Sequence, residues 1–156
     1  MREAAPLEAL EALAAKDAIV DVVNELFRAT DERDWAAVRA CFAPVVHFDM
    51  TSVAGGAPAE LSGERIAAAW EEGLRSVEAI HHQAGNHRVR VAGERAEACC
   101  YGTAWHWKRR RDGRNTRVFV GTYELGLVRA EDRWVVDRFR FVLKFVDGNL
   151  ELEREE

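Results

Sequence analysis

Residues 80–107 read IHHQAGNHRVRVAGERAEACCYGTAWHW, two runs of β-branched, aromatic and small residues divided by Ala92-Gly93-Glu94. In a strand, side chains alternate between faces, and a short Gly-containing break between two such runs makes a hairpin. Two more runs follow, with turn residues at Asp112-Gly113 and Ala130-Glu131-Asp132. Four long strands are therefore predicted over 80–91, 95–110, 115–129 and 133–146.

Upstream of this meander the period changes. Leu10, Leu13, Ile19, Val22, Val23, Leu26 and Phe27 fall at helical spacing, which predicts a helix over 7–31 with Lys16 as a candidate break. Asp34 is an N-cap for a short helix over 35–42, ended by Pro44. VVHFDMT (45–51) reads as a strand, VAGGAP as a loop, and Ile66, Ala69, Trp70 and Leu74 give a third helix over 62–77. Helices first and an antiparallel meander afterwards define an α+β fold, with helices covering one face of a strongly curved sheet.

The chain has 156 residues, enough for one domain with its own core. At 48% hydrophobic and 31% charged it is expected to fold, and a net charge of -5 argues against nucleic acid or anionic lipid as partner. Cys41, Cys99 and Cys100 are odd in number and two are adjacent, which points to a reducing compartment. No leader pattern or membrane-length apolar run is present, so the expected location is cytoplasmic. The acidic tail ELEREE (151–156) is expected to fray.

Three groups could carry chemistry. The stripe Val20, Val23, Phe27 continues at i+4 to Asp31, so a carboxylate could arrive on the buried side; alternatively Asp31 caps the turn, with Glu32, Arg33 and Asp34 in water. Alternation puts His82, Ala84 and Asn86 on one face of the next strand, and a bulge near Gly85 would let Val89 and Val91 join His82 inside. His106 shares parity with Ala98, Cys100, Gly102 and Ala104, a small-residue face that either leaves room for a ligand or admits a bulky neighbour. His81, His82, His87 and His106 lack metal-ligand spacing, so no metal is expected.

Lys108 to Arg111 flank a hairpin tip, and Arg138 and Arg140 belong to the outer sheet face. Tyr101, Trp105, Trp107 and Val118 would form an outward aromatic patch, from which a homodimer or homotrimer is expected.

FRATDERDWAAVRACFAPVVHFDM (27–50) and the 80–107 stretch resemble, over nearly the whole chain, the SnoaL-like branch of the nuclear transport factor 2-like superfamily. The resemblance implies a cone-shaped barrel with an apolar pocket and no cofactor. Members acting as scytalone dehydratase or hexachlorocyclohexane dehydrochlorinase use an Asp/His pair, matched in placement by Asp31 and His82, with His106 matching the dehydratase's second histidine. Thr30 stands where the dehydratase has a tyrosine, so its leaving-group acid is not carried over. Candidate contacts to a small apolar organic molecule are Phe27, Thr30, Phe48, Trp70, Asn86, Tyr123 and Phe141. The implied activity is a cofactor-independent lyase, isomerase or polyketide cyclase; the alternative is a noncatalytic small-ligand-binding or assembly domain.

Overall fold

A computed structural model describes residues 4–154. The elements in chain order are α1 (Ala4–Asp31), α2 (Trp35–Ala40), β1 (Phe42–Asp49), α3 (Thr51–Ala54), β2 (Ala59–Leu61), α4 (Gly63–Leu74), β3 (Ala79–Ala92), β4 (Arg95–Trp107), β5 (Thr116–Ala130) and β6 (Arg133–Gly148). The strands form one six-stranded sheet in the order β2-β1-β6-β5-β4-β3. Among the described residues only the β1/β6 pair is parallel. The fold is α+β, with helices packed on a curled, mostly antiparallel sheet.

α1 lies mainly on β3 and buries Ile19, Val23, Leu26 and Phe27. It is continuous through Lys16, but Leu7, Leu10 and Leu13 on its first turns are exposed and take no part in the core. Helical period alone does not say how far along a helix the body extends. Pro44 sits inside β1 rather than merely ending α2, and the β1/β6 register breaks between Phe42 and His47, where a residue without an N–H costs no ladder bond. The expected loop after β1 holds two short elements, α3 and β2; Ser52 Oγ ties α3 to β6 by donating to the Phe141 carbonyl at 2.6 Å and accepting from Leu143 N–H at 3.0 Å.

The sheet curls where its ladder is interrupted, at Gly85/Arg88 in β3 and at Val120/Gly121 and Gly126/Leu127 in β5. Asn86 takes the left-handed conformation (φ 56°) in the β3 bulge, and beyond it Val89 and Val91 turn to the core side. The same switch carries Asn86 out to solvent, so it is not a ligand contact as its parity with His82 suggested.

The small-residue face of β4 is buried, and two aromatic rings fill much of the room above it. A Cβ on Gly102 would lie 2.0 Å from the Tyr123 ring, and one on Gly121 would lie 2.6 Å from the Phe141 ring. Gly102→Ala is therefore expected to destabilise the protein by about 1–3 kcal/mol, because Tyr123, packed against Phe27, Phe139 and Phe141, cannot retreat freely. Denaturant titration checks this; an unchanged midpoint would mean that the ring has somewhere to go.

On the outer face Arg138 faces Glu97 at 3.5 Å, Arg140 lies between Glu124 (3.1 Å) and Asp49 (3.2 Å), and Arg95 pairs with Asp137 at 2.8 Å. Tyr101 is exposed there under Lys144 Nζ, 4.4 Å from the ring centre. Trp105, Trp107 and Val118 are only half-exposed. No helix among the described residues is long and apolar enough to cross a membrane.

Candidate active site

α1 ends on Asp31, and the turn that follows fixes where its carboxylate points. Arg33 takes the left-handed conformation (φ 59°) that closes many helices, and its guanidinium donates to the carbonyls of Leu74 (3.0 Å) and Val77 beyond the end of α4. Arg33 is thus not a solvated charge but a clamp between the end of α1 and α4. Asp34 caps α2 by accepting from Ala37 N–H at 3.0 Å.

Held this way, Asp31 does more than close a turn. Its Oδ1 lies 2.6 Å from His82 Nδ1, and its Oδ2 accepts the His82 main-chain N–H at 2.8 Å. Both side chains are largely buried, 16% and 13% exposed, while the exposed His81 stands 3.9 Å from Oδ2. A carboxylate has only acceptors, so His82 Nδ1 carries a hydrogen, and in the neutral imidazole Nε2 is the atom with the free lone pair. The ring stacks on Phe27 with centroids 5.4 Å apart and planes at 18°, which fixes its orientation.

His82 borders a mostly apolar cavity of about 280 Å³ between the helices and the concave sheet, at the small end of the range for ligand sites. Of the expected contacts, Phe27, Thr30, Trp70 and Tyr123 line it, as does His106. Thr30 donates its hydroxyl hydrogen to the Leu26 carbonyl at 2.8 Å, so toward a ligand it can only accept. Burial first, then the charges of Cys100 and Asp31, push the Tyr123 phenol well above its ordinary range, which keeps it a neutral donor.

Phe48 and Phe141 lie outside the lining. Phe48 stacks on Phe139 at 5.5 Å, and Phe141 fills the space over Gly121 beside Tyr123. Both side chains are used as core. A larger hollow of about 710 Å³ lies on the outer sheet face, walled by Arg95, Asp137, Glu97 and Arg138, which are already paired with one another.

Arg117, Phe119, Phe139, Met50 and Val53 also line the site without having been singled out for it in the sequence, together with Ala69, Gly73 and Leu74 of α4. Arg117 was within reach: taking Asp112-Gly113 as the hairpin centre sets Phe119 opposite His106, and the actual partner, Arg117, is two residues away on the same face. Its Nη2 lies 3.2 Å from His106 Nδ1, and the guanidinium makes a two-bonded pair with Glu153. The tail is therefore docked as far as it is described, with Leu152 fully buried.

Burial first, then the charges of Arg117 and His82, hold His106 down from 6.5 to about 4, with Glu153 and Asp31 opposing weakly. A histidine that takes up its proton near 6.5 when unfolded and only near 4 when folded favours the unfolded chain over that interval. This contribution to stability is complete above pH 6.5 and is lost as the pH falls toward 4. Melting temperature is thus expected to decline from pH 7 to 4.5, and to decline less in His106→Asn, which does not titrate. Equal slopes would show that His106 is not responsible.

Among the described residues no group of three or more His, Cys, Asp or Glu is placed to hold a metal. Cys41 and Cys100 are free buried thiols, raised mainly by burial to about 11 and about 12, which suits core residues rather than nucleophiles.

The fold is shared with many solved structures. A protein of Kribbella flavida, Kfla4162, superposes with a TM-score of 0.87 at 22% identity, over 92% of this chain and 99% of the other. A scytalone dehydratase-like protein of Novosphingobium aromaticivorans gives 0.75 at 16% identity, over 88% and 89%. Hexachlorocyclohexane dehydrochlorinase LinA-type3 of Novosphingobium barchaimii gives 0.74 at 12% identity, over 91% and 94%. No curated protein sequence matches the chain. The SnoaL-like domain matches residues 11–140, and the chain belongs to that family, within the nuclear transport factor 2-like superfamily.

Proposed function

We propose that this protein is a cofactor-independent lyase or isomerase in which His82, oriented by Asp31, removes a proton from carbon in a small, apolar, cyclic substrate. The observation that carries this reading is the 2.6 Å contact between Asp31 and His82 at the border of the cavity. An oriented imidazole whose partner stabilises the developing imidazolium is a competent general base. The proton passes to His82 Nε2. The electron pair left on carbon either expels hydroxide or halide from the neighbouring carbon, giving an alkene, or is held on a carbonyl oxygen by Tyr123 and His106 until carbon is reprotonated. Structural likeness to a dehydratase-like protein and a dehydrochlorinase supports the first course.

The test is deuterium uptake from heavy water at the acidic C–H position of bicyclic ketones, hydroxyketones and chlorinated cyclohexanes, followed by NMR. Exchange or elimination that requires His82 supports the reading. Saturable binding with neither would favour the ligand-binding domain instead. The half-exposed aromatic face around Tyr101 is the surface on which a second copy would seat, giving a dimer or trimer by sedimentation.

A further inference from the structure

Two histidines border the cavity, and their partners have opposite charge and opposite hydrogen-bonding sense. Asp31 can only accept, so it leaves the His82 hydrogen on Nδ1. Arg117 can only donate, and its Nη2 stands 3.2 Å from His106 Nδ1. That nitrogen is therefore the acceptor, and the neutral ring carries its hydrogen on Nε2.

Arg117 is fixed from the other side. Its Nη1 donates to Glu153 Oε2 at 2.8 Å and its Nη2 to Oε1, the fork geometry in which a guanidinium and a carboxylate bind most firmly. Glu153 reaches this position because the chain turns back after β6. Gly148 (φ 90°) makes the turn against the Thr116 carbonyl, Asn149 Nδ2 donates to the Arg114 carbonyl at 2.9 Å, and Leu152 is fully buried. The guanidinium also lies over the Phe119 ring, 4.9 Å from its centre.

We propose that Arg117 and Glu153 form a positioning pair that holds His106 as the neutral Nε2–H donor. The cavity then presents a proton acceptor at His82 and a proton donor at His106. Because Glu153 already matches the charge of Arg117, the donor end suits an uncharged oxygen, a carbonyl or a hydroxyl, rather than a carboxylate. The substrate class is thus a neutral molecule bearing an oxygen near its acidic C–H. This last step rests on the catalytic reading of His82; the state of His106 does not.

The charged and titratable groups acting on His106 are Arg117 from β5, Glu153 from the tail, His82 from β3 and Asp31 from α1. Long-range ¹H–¹⁵N spectra of histidine-labelled full-length protein read the tautomer directly, with the His106 signals assigned by their loss in His106→Asn. At pH 7 the wild type is expected to show a hydrogen on Nε2 and none on Nδ1. Arg117→Met should raise the His106 titration midpoint by roughly one pH unit and mix the tautomers, whereas Arg117→Lys should restore the wild-type pattern. Glu153→Gln should move the midpoint the other way, since it leaves the guanidinium charge unmatched.

A hydrogen on Nδ1 in the wild type would overturn the proposal whether or not any variant folds, and so would shifts of the same sign in Arg117→Met and Glu153→Gln. A purely structural pair would loosen the site in both variants alike. If no substrate is ever turned over while the spectra are as expected, the catalytic reading fails and the positioning pair stands.

Discussion

His82→Ala is expected to lower turnover of any substrate found for this site by about 10²–10⁴-fold, the usual worth of a positioned general base, while shifting the melting temperature little. The second half of that expectation follows from Asp31. Its Oδ2 accepts the main-chain N–H of residue 82, which the substitution leaves in place, so the carboxylate keeps a partner within its largely buried position. Asp31→Asn should cost a comparable factor for a different reason. An amide that donates to His82 Nδ1 would move the ring hydrogen to Nε2 and remove the lone pair that takes the proton. Rates and melting curves of both variants check this. Retained turnover in His82→Ala would mean that another group is the base.

Phe139→Ala is expected to give the largest loss of stability, about 3–5 kcal/mol. The ring is 2% exposed and meets Phe48 and Trp70 at 5.5 Å, Tyr123 at 5.7 Å and Phe42 at 6.3 Å between centroids. It thereby joins the start of β1, helix α4 and strand β5, and it also lines the cavity. Truncation would merge its own volume with the existing void, which the surrounding rings cannot collapse to fill. A drop in melting temperature of roughly 10 °C should accompany it for a chain of this length. A loss below about 1 kcal/mol would mean that the cluster repacks.

The parts of this architecture legible in the sequence are those with a local cause. Gly93, Gly113 and Glu131, all with positive φ, stand at the three hairpin turns that divide the meander, where turn chemistry had been read. The joint reading of Asp31 and His82 came from periodicity on a helix and alternation on a strand together with the family resemblance. What could not be read depended on distant residues. Phe141 left the site because Gly121 opened space for it, and Asn86 left because a bulge turned it outward. The tail was expected to fray, yet Glu153 docks on Arg117 from 36 positions away. α3 and β2 are too short to carry a period at all.

On the first turns of α1 the side chains of Leu7, Leu10 and Leu13 stay largely exposed, at 59%, 62% and 64%. The cooperative unit accordingly begins near Ile19, the first fully buried position of the helix among its described side chains. Amide protons before Lys16 should exchange with solvent at the rate at which a bare helix frays, while those around Val23 and Leu26 should exchange only when the whole chain opens. One continuous helix thus spans two regimes of opening, and shortening it from its N-terminal end to Ala14 should leave the unfolding free energy nearly unchanged.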